Sequence, residues 1–153
     1  MPNENVEAVT YRRMESGEFA GWHYWPHDRY EMHSGPYFFR RDAGARVQCA
    51  FRVTEQHLNG GGTVHGGCLV TFADYSLFAI AQDALAAPGT RGITVSLNSE
   101  FIGAALAGDL VEATGEVIRA GGSLIFVRGL VTANGKPALN FSGVIKKLER
   151  RGA

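Results

Sequence analysis

The spacing of hydrophobic residues changes twice along the chain. Residues 36–53 read as two short strands around a turn at residues 42–44, because apolar and polar residues alternate in the second strand. From Gly66 to about Ala87 the apolar residues recur with a helical period, and Pro88-Gly89 ends the pattern. The period then returns to two in four further strands, at residues 92–101, 110–119, 123–133 and 137–147. The predicted order is two strands, one long helix and four strands.

The predicted sheet is antiparallel and wraps the helix. Tight turns join consecutive strands, and Asn134-Gly135 is a typical hairpin pair. Because the helix is apolar around most of its circumference, the sheet must curl around it. We therefore predict an α+β fold in a single domain over residues 36–153. Residues 1–35 mix aromatic and polar residues without a period, and we expect an extension packed over the sheet or against a second subunit.

Composition excludes several classes of function. The fifteen basic and fifteen acidic residues cancel, and the largest basic cluster, at residues 146–151, is short, so we expect no nucleic-acid partner. Residues 1–13 lack the apolar stretch of a signal peptide, and the most apolar run, around residues 68–81, is too short to span a bilayer. We expect a cytoplasmic protein with no membrane partner, in which Cys49 and Cys68 are buried, reduced thiols.

Two glycines stand at the predicted start of the helix. Each costs about 1 kcal/mol relative to alanine in a helical turn, so Gly66 and Gly67 need a compensating role. The first amides of a helix lack an intrahelical acceptor and lie at the positive end of its dipole, where an oxygen of another molecule can bind. A phosphate-binding loop is excluded, because Gly67 and Cys68 stand where lysine and serine or threonine are required. The pattern favours an oxyanion site.

One carboxylate, Asp74, lies on an apolar side of this helix with Val70 and Phe78. The more polar side is formed by Thr71, Tyr75 and Gln82. A buried, unpaired carboxylate costs several kcal/mol, so Asp74 must be paired or must face a site that ligand and water reach. About 12 Å of helix separates it from Gly66. Both groups can act on one carbon only if a second copy supplies one of them, which predicts an obligate oligomer.

The sequence disfavours two other kinds of site, a metal site and a thiol dyad. His23, His27 and His33 suggest a metal site, but no HExxH arrangement or thiolate cluster accompanies them, so we expect neither a metal nor a cofactor. His65 and Cys68 are three residues apart, as in a thiol dyad. Because a sheet wraps this helix, a Cys68 side chain that points toward the sheet is poorly placed to reach a substrate.

Asn59, then His65-Gly66-Gly67, then Asp74 together resemble the signature of hot-dog-fold acyl-CoA thioesterases of the phenylacetyl-CoA thioesterase (PaaI) type. The resemblance covers roughly residues 36–147 and implies a hot-dog fold. It also implies that the Gly66 amide, with Gly67, polarises the thioester carbonyl. Asp74 of the opposing subunit would then attack that carbonyl or activate water, while Asn59 and His65 shape the site.

The resemblance extends to the strand after the helix. Thr94 aligns with a hydroxyl that positions water in such enzymes, and Ser96 is the fallback. Cations that can hold the coenzyme A phosphates are Arg119, Arg128, Lys136 and Lys146, which the sequence does not rank. Each site residue keeps a structural alternative: His65 as a helix cap, Asn59 as the holder of a turn and Thr94 as an ordinary strand residue.

The sequence thus predicts a single hot-dog domain, dimeric or tetrameric, that hydrolyses an acyl-CoA thioester to a free acid and coenzyme A. A thioester has a good leaving group, so a carboxylate with amide donors suffices and no metal is needed. One alternative is a module that binds acyl-CoA without hydrolysing it. Another is a hydratase or dehydratase on the same fold, with His65 and Asp74 as its acid–base pair.

Overall fold

The computed structural model describes residues 10–149. Residues 1–9 of the predicted extension and residues 150–153 of the predicted main domain lie outside the described part. The elements, in chain order, are β1 (Arg12–Arg13), β2 (His23–Tyr24), α1 (Arg29–Ser34), β3 (Phe38–Arg41), β4 (Val47–Arg52), α2 (Gly66–Ile80), β5 (Thr90–Phe101), β6 (Leu110–Ala120), β7 (Leu124–Ala133) and β8 (Lys136–Glu149). Short 3₁₀ turns occur at Glu55–His57 and Gln82–Leu85.

The strands form one antiparallel sheet in the order β1-β2-β3-β4-β6-β7-β8-β5. The sheet covers α2, so the predicted α+β class with a sheet curled around one main helix is confirmed. Asn134 and Gly135 both have positive φ, at 47° and 79°, and make the predicted tight turn between β7 and β8. Within residues 10–149, no helix has the length and apolar character needed to cross a bilayer.

Helix α2 supplies one side of the core. Its buried residues are Leu69, Phe72, Ala73, Tyr75, Ser76, Leu77 and Ala79. The helix comes close to the sheet at Gly143 of β8, where an added Cβ would collide with the Leu77 side chain. This glycine therefore serves a close approach of strand and helix, which any larger residue would push apart.

Two sequence expectations for the helix are wrong. The α-helix ends at Ile80, and a 3₁₀ turn, rather than further α-helix, follows toward residue 87. Tyr75, expected on the more polar side, is only 2% exposed. Its ring packs against Tyr37 and Phe39, and its hydroxyl donates to the Tyr37 carbonyl oxygen at 3.2 Å. An amphipathic ring can be buried when its hydroxyl finds an acceptor, and helical periodicity alone does not reveal that acceptor.

Strand β5 is an edge strand with a bulge. Thr94 pairs with Ile145 and Ser96 pairs with Val144, so Val95 is the extra residue. On the outward side, Ile93 is 42% and Val95 is 52% exposed, while Thr94 is partly buried. The described molecule therefore presents apolar side chains along an unpaired strand edge, which is an aggregation hazard unless another chain covers it.

Residues 10–35 extend the same sheet. β1 pairs with β2, and β2 pairs with β3, so this segment continues the sheet beyond its β3 edge. Phe19 and Trp22 form a second small core with Phe38 and Ala50. After β2 the chain turns into α1, which packs against α2. This contact brings the side chains of α1 to the helix that carries Asp74.

Candidate active site

The first turn of α2 leaves one amide unpaired. The N–H of Gly67 donates to Nδ1 of His65 at 2.9 Å, so His65 caps the helix. The N–H groups of Cys68 and Leu69 donate to the His65 carbonyl oxygen at 2.8 Å and 3.3 Å. Among residues 10–149 the Gly66 N–H has no acceptor. Gly66 therefore offers a free donor at the positive end of the helix dipole, whereas the amide of Gly67 is already bound.

An aromatic ring lies against the Cα of Gly66. A Cβ added to Gly66 would lie 3.1 Å from the ring of Phe101, the last residue of β5. Phe101 itself is 60% exposed. The absence of a side chain at Gly66 lets the ring lie this close to the start of the helix without displacement. Sequence reasoning did not single out Phe101, and its signal is weak: an apolar residue at the end of a strand.

Asn59 organises the loop before the helix. Its Oδ1 accepts the N–H groups of Gly61 and Thr63 at 2.9 Å and 3.2 Å, and its Nδ2 donates to the Thr63 hydroxyl at 3.1 Å. These are the contacts of a residue that holds a turn, which was the structural alternative for Asn59. The polar atoms of Asn59 are bonded within the loop, so Asn59 acts on the site by holding this loop in position.

A buried histidine that the sequence reasoning missed supports the same loop. His57 is 4% exposed, and its Nδ1 accepts the Thr54 N–H at 2.9 Å. Its Nε2 therefore carries the proton and donates to the Gly35 carbonyl oxygen at 3.1 Å. The His57 carbonyl oxygen accepts the His65 N–H at 2.8 Å. His57 thus ties the residue that caps α2 to the segment before β3. The only sign of this role in the sequence was the three-residue spacing from Thr54 to His57, which is typical of a capping pair at the start of a helical turn.

Asp74 and Thr94 are brought together. The Thr94 hydroxyl donates to Oδ1 of Asp74 at 2.6 Å, across 20 residues of sequence. Thr94 stands immediately before the bulge of β5, on the side of the strand that faces α2. No donor within the described residues contacts Oδ2 of Asp74. One carboxylate oxygen is therefore held in place, and the other is available to substrate or water.

Asp74 opens into a cavity of about 280 Å³. Its walls come from three elements: the α1 region, α2 and β5. The lining residues are Asp28, Tyr30, Glu31, Val70, Thr71, Asp74 and Leu97. The predicted apolar surroundings of Asp74 hold only in part, because α1 adds polar groups to the cavity. Thr94 does not line the cavity itself, but its hydroxyl is bonded to Asp74, which does.

Two further carboxyl residues in this cavity, Asp28 and Glu31, were missed by sequence reasoning, and Glu31 has a perturbed pKa. Burial, together with the nearby carboxylates of Asp28 and Asp74, raises its pKa to about 8. The Glu31 N–H donates to Oδ1 of Asp28 at 2.9 Å. This local cap, with an acidic residue three positions after Asp28, is a recognisable helix-start signal. Its proximity to Asp74 depends on tertiary packing and has no local signal.

Both cysteines are free thiols, as expected; Cys49 is buried as predicted, whereas Cys68 is only partly buried. Burial raises the pKa of Cys49 to about 12 and also raises that of Cys68. Cys68 Sγ lies 3.8 Å from the Tyr37 hydroxyl, while the His65 ring binds the Gly67 amide. The structure therefore offers no activated thiolate in a His65–Cys68 dyad.

The remaining polar candidates lie elsewhere. Within residues 10–149, no group of three or more histidine, cysteine, aspartate or glutamate side chains is arranged to hold a metal ion. His23 packs against the rings of Tyr11 and Phe39. Among the candidate phosphate-binding cations, Arg128 donates to Glu116 at 2.7 Å. The other three candidates, Arg119, Lys136 and Lys146, are exposed.

A family model described as the thioesterase superfamily matches residues 61–137, about half of the chain. The chain belongs to the thioesterase superfamily. The matched segment contains Gly66, Asp74 and Thr94, and it excludes α1. As a member of this superfamily the protein is a thioester hydrolase, which the resemblance had implied.

Two relatives of this thioesterase-superfamily chain support the assignment. A Pseudomonas aeruginosa protein, whose name assigns it provisionally to the esterases, is 36% identical over 111 residues, which are 72% of this chain and 81% of that protein. Human acyl-coenzyme A thioesterase 13 is 33% identical over 85 residues, or 55% of this chain. The alignment spans 59% of the human protein, less than two thirds of its length.

The fold of the family is also confirmed. The phenylacetic acid degradation protein PaaI from Thermus thermophilus, solved as a variant, superposes with a TM-score of 0.67 at 24% identity. The superposition covers 79% of this chain and 100% of that one. The predicted hot-dog fold is therefore confirmed, and the likeness to PaaI is one of fold.

Proposed function

We propose that this protein hydrolyses acyl-CoA thioesters to a free carboxylic acid and coenzyme A, with Asp74 as its essential carboxylate. One observation carries the proposal: Thr94 donates a 2.6 Å hydrogen bond to Oδ1 of Asp74 in a cavity of a thioesterase-superfamily chain. The bond orients the carboxylate through Oδ1 and leaves Oδ2 without a donor among the described residues. The name of the human relative, acyl-coenzyme A thioesterase 13, supports coenzyme A as the thiol.

Two chemical routes use the same carboxylate. In the nucleophilic route, Oδ2 attacks the thioester carbonyl carbon, the C–S bond breaks, and the coenzyme A thiolate leaves and takes a proton from water. Water then cleaves the mixed anhydride and regenerates the carboxylate. In the general-base route, Asp74 accepts a proton from water as that water attacks the same carbon, the C–S bond breaks, and the leaving coenzyme A thiolate takes the proton back from Asp74. Thr94 orients the carboxylate in both routes.

The Gly66 amide is the proposed oxyanion donor. Its N–H is unpaired in the described structure and lies at the positive end of α2. About 12 Å of helix separates it from Asp74, so one subunit cannot direct both groups at one carbonyl. We infer that a second subunit supplies one of them. The exposed Ile93 and Val95 on the β5 edge support such an association. The choice between dimer and tetramer stays a prediction.

The other site residues have supporting roles in this proposal. His65 holds the start of α2 through the Gly67 amide, and Asn59 holds the preceding loop. Gly67 contributes space rather than a free donor, because its N–H is bound to His65. The cytoplasmic location and the reaction without metal or cofactor stay predictions of the sequence.

The proposal is tested by thiol release from a panel of short-chain, aryl, medium-chain and long-chain acyl-CoA thioesters. We expect thiol release from at least one member of the panel, and the preferred member identifies the acyl class. Water addition to 2-enoyl-CoA without thiol release would instead support the hydratase alternative. Saturable binding without thiol release from any thioester would support the binding module.

A further inference from the structure

We propose that Tyr30 is a specificity-determining residue, whose ring forms one wall of the acyl-binding cavity beside Asp74 and limits the size of the acyl group. This inference rests on the proposed function of Asp74. Its basis is an arrangement in space, because Tyr30 and Asp74 line one cavity although they come from different helices, α1 and α2.

The charge of the cavity decides which half of the substrate enters it. Asp28, Glu31 and Asp74 bring carboxyl groups to its walls, and no basic side chain belongs to the described lining. The phosphates of coenzyme A carry negative charges, which acidic walls repel and which basic side chains would bind. The acyl group lacks these phosphates. We therefore assign the cavity to the acyl group, with the thioester carbon at Asp74 and coenzyme A extending away from the cavity.

Three apolar surfaces are available to that acyl group. Val70 lies one helical turn before Asp74 on α2, Leu97 comes from β5, and the Tyr30 ring is the third surface. Tyr30 is 64% exposed, so most of its surface is still free to be buried against a ligand. Val70 and Leu97 lie inside the matched family segment, residues 61–137, whereas Tyr30 precedes it. Tyr30 is thus the apolar wall that the segment before the family match adds to the site.

Helix α1 is held at both ends, which gives this wall a defined place. At its start, the Asp28 side chain caps the first turn. Just after its end, the Gly35 carbonyl oxygen accepts hydrogen bonds from Gln56 Nε2 at 2.7 Å and from His57 Nε2 at 3.1 Å. His57 also supports the loop before α2, and α1 packs against α2 directly. The backbone that carries Tyr30 therefore has a fixed position relative to α2.

The direct test measures kcat/KM on saturated acyl-CoA thioesters of increasing chain length. Tyr30→Ala removes the wall, so the ratio of kcat/KM for dodecanoyl-CoA to that for butanoyl-CoA should rise about tenfold or more above the wild-type ratio. Tyr30→Phe keeps the ring and should retain the wild-type ratio within about threefold. Tyr30→Trp enlarges the ring and should move the ratio in the opposite direction from alanine.

Met32→Ala is the matched control, because Met32 is an exposed residue of the same helix and is not part of the cavity lining. It should keep the wild-type ratio. An unchanged ratio in Tyr30→Ala, with an intact circular dichroism spectrum and melting temperature, would overturn the inference. An equal rise in Met32→Ala would also overturn it, since any disturbance of α1 would then have the same effect. So would an equal rise in Tyr30→Phe, which would assign the effect to the hydroxyl.

A second measurement separates this inference from the proposed hydrolysis. S-alkyl coenzyme A thioethers have no carbonyl group and are not hydrolysed, so calorimetry can give their Kd for each protein. Relative to the butyl thioether, Tyr30→Ala should bind the dodecyl thioether about tenfold or more tighter than the wild type does. If this shift appears but no thioester is hydrolysed, the proposed hydrolysis fails and the wall stands. The same Kd ratio in both proteins would refute the wall alone, and the absence of both binding and turnover would refute both proposals.

Discussion

The hydroxyl of Thr94 donates a 2.6 Å hydrogen bond to Oδ1 of Asp74 and so joins strand β5 to helix α2 at the wall of the cavity. The bond aligns one oxygen of a partly buried carboxylate and leaves the other open. It also explains why a polar side chain is tolerated on the inner side of an edge strand. The predictions below test this bond and the groups that must cooperate with it.

Thr94→Val should lower kcat about tenfold or more while changing KM little, because valine keeps the shape and removes the hydroxyl that orients Asp74. Thr94→Ser retains the hydroxyl and should lose less. Steady-state kinetics on the best thioester of the panel provide the comparison. If the valine variant matches the wild type, the hydrogen bond has no part in turnover.

Substitutions at Gly66 separate its amide from its lack of a side chain. Gly66→Pro removes the N–H at the first helical position, where proline fits the backbone, and His65 already has the extended ψ of 132° that precedes proline. We expect a loss of about 10² to 10³ in kcat. Gly66→Ala adds a comparable Cβ, which the Phe101 ring accommodates by shifting a few tenths of an ångström, but keeps the N–H, so its loss should be much smaller. Equal losses in the two variants would point to crowding by Phe101 rather than to an oxyanion donor.

Mixing subunits tests whether two chains build one site. Asp74→Asn and Gly66→Pro are each expected to be inactive alone. If the groups come from opposite subunits, a refolded equimolar mixture contains heterodimers with one intact site and should regain about a quarter of the wild-type activity. Mixing each variant with itself under the same refolding conditions is the control. A mixture as inactive as its components would contradict the shared site.

The stability of the fold should depend on pH through Glu31. Its pKa is raised from an ordinary 4.5 to about 8 in the folded protein, so the folded state holds a proton that the unfolded state has lost over that interval. Stability from this group is therefore complete below about pH 4.5 and is lost as the pH rises toward 8. The melting temperature of Glu31→Gln should decline less from pH 5 to pH 8 than that of the wild type. Parallel melting curves of the two proteins over that range would exclude a raised pKa at Glu31.

Local sequence was enough for elements whose signals are local. The Asn134-Gly135 turn, the alternation in β6 to β8 and the glycines at the start of α2 each predicted structure from a few neighbouring residues. The end of α2 was misjudged, because the apolar pattern continues into a 3₁₀ turn after Ile80. A period in hydrophobicity does not distinguish these two kinds of helix.

The candidate site was predictable only where a spacing pattern existed. Asp74 and Gly66 share one helix, so their spacing was visible, and Thr94 was reached through the resemblance. Glu31 had no such pattern, because its position beside Asp74 is set by α1 packing on α2. Long-range packing of a short helix leaves no periodic trace in the sequence.

The most direct test of the account compares Asp74→Asn with the wild type in thiol release from the preferred acyl-CoA thioester. Asparagine keeps the shape and can still accept the Thr94 hydrogen bond, but it lacks the charge needed for attack or proton transfer. Asp83→Asn, at an exposed residue paired with Arg41, is the matched control for removing an aspartate charge. We predict that Asp74→Asn loses at least about a hundredfold in kcat/KM with an unchanged melting profile, while Asp83→Asn stays near the wild type. Wild-type activity in Asp74→Asn would contradict the assignment of the carboxylate and, with it, the mechanism.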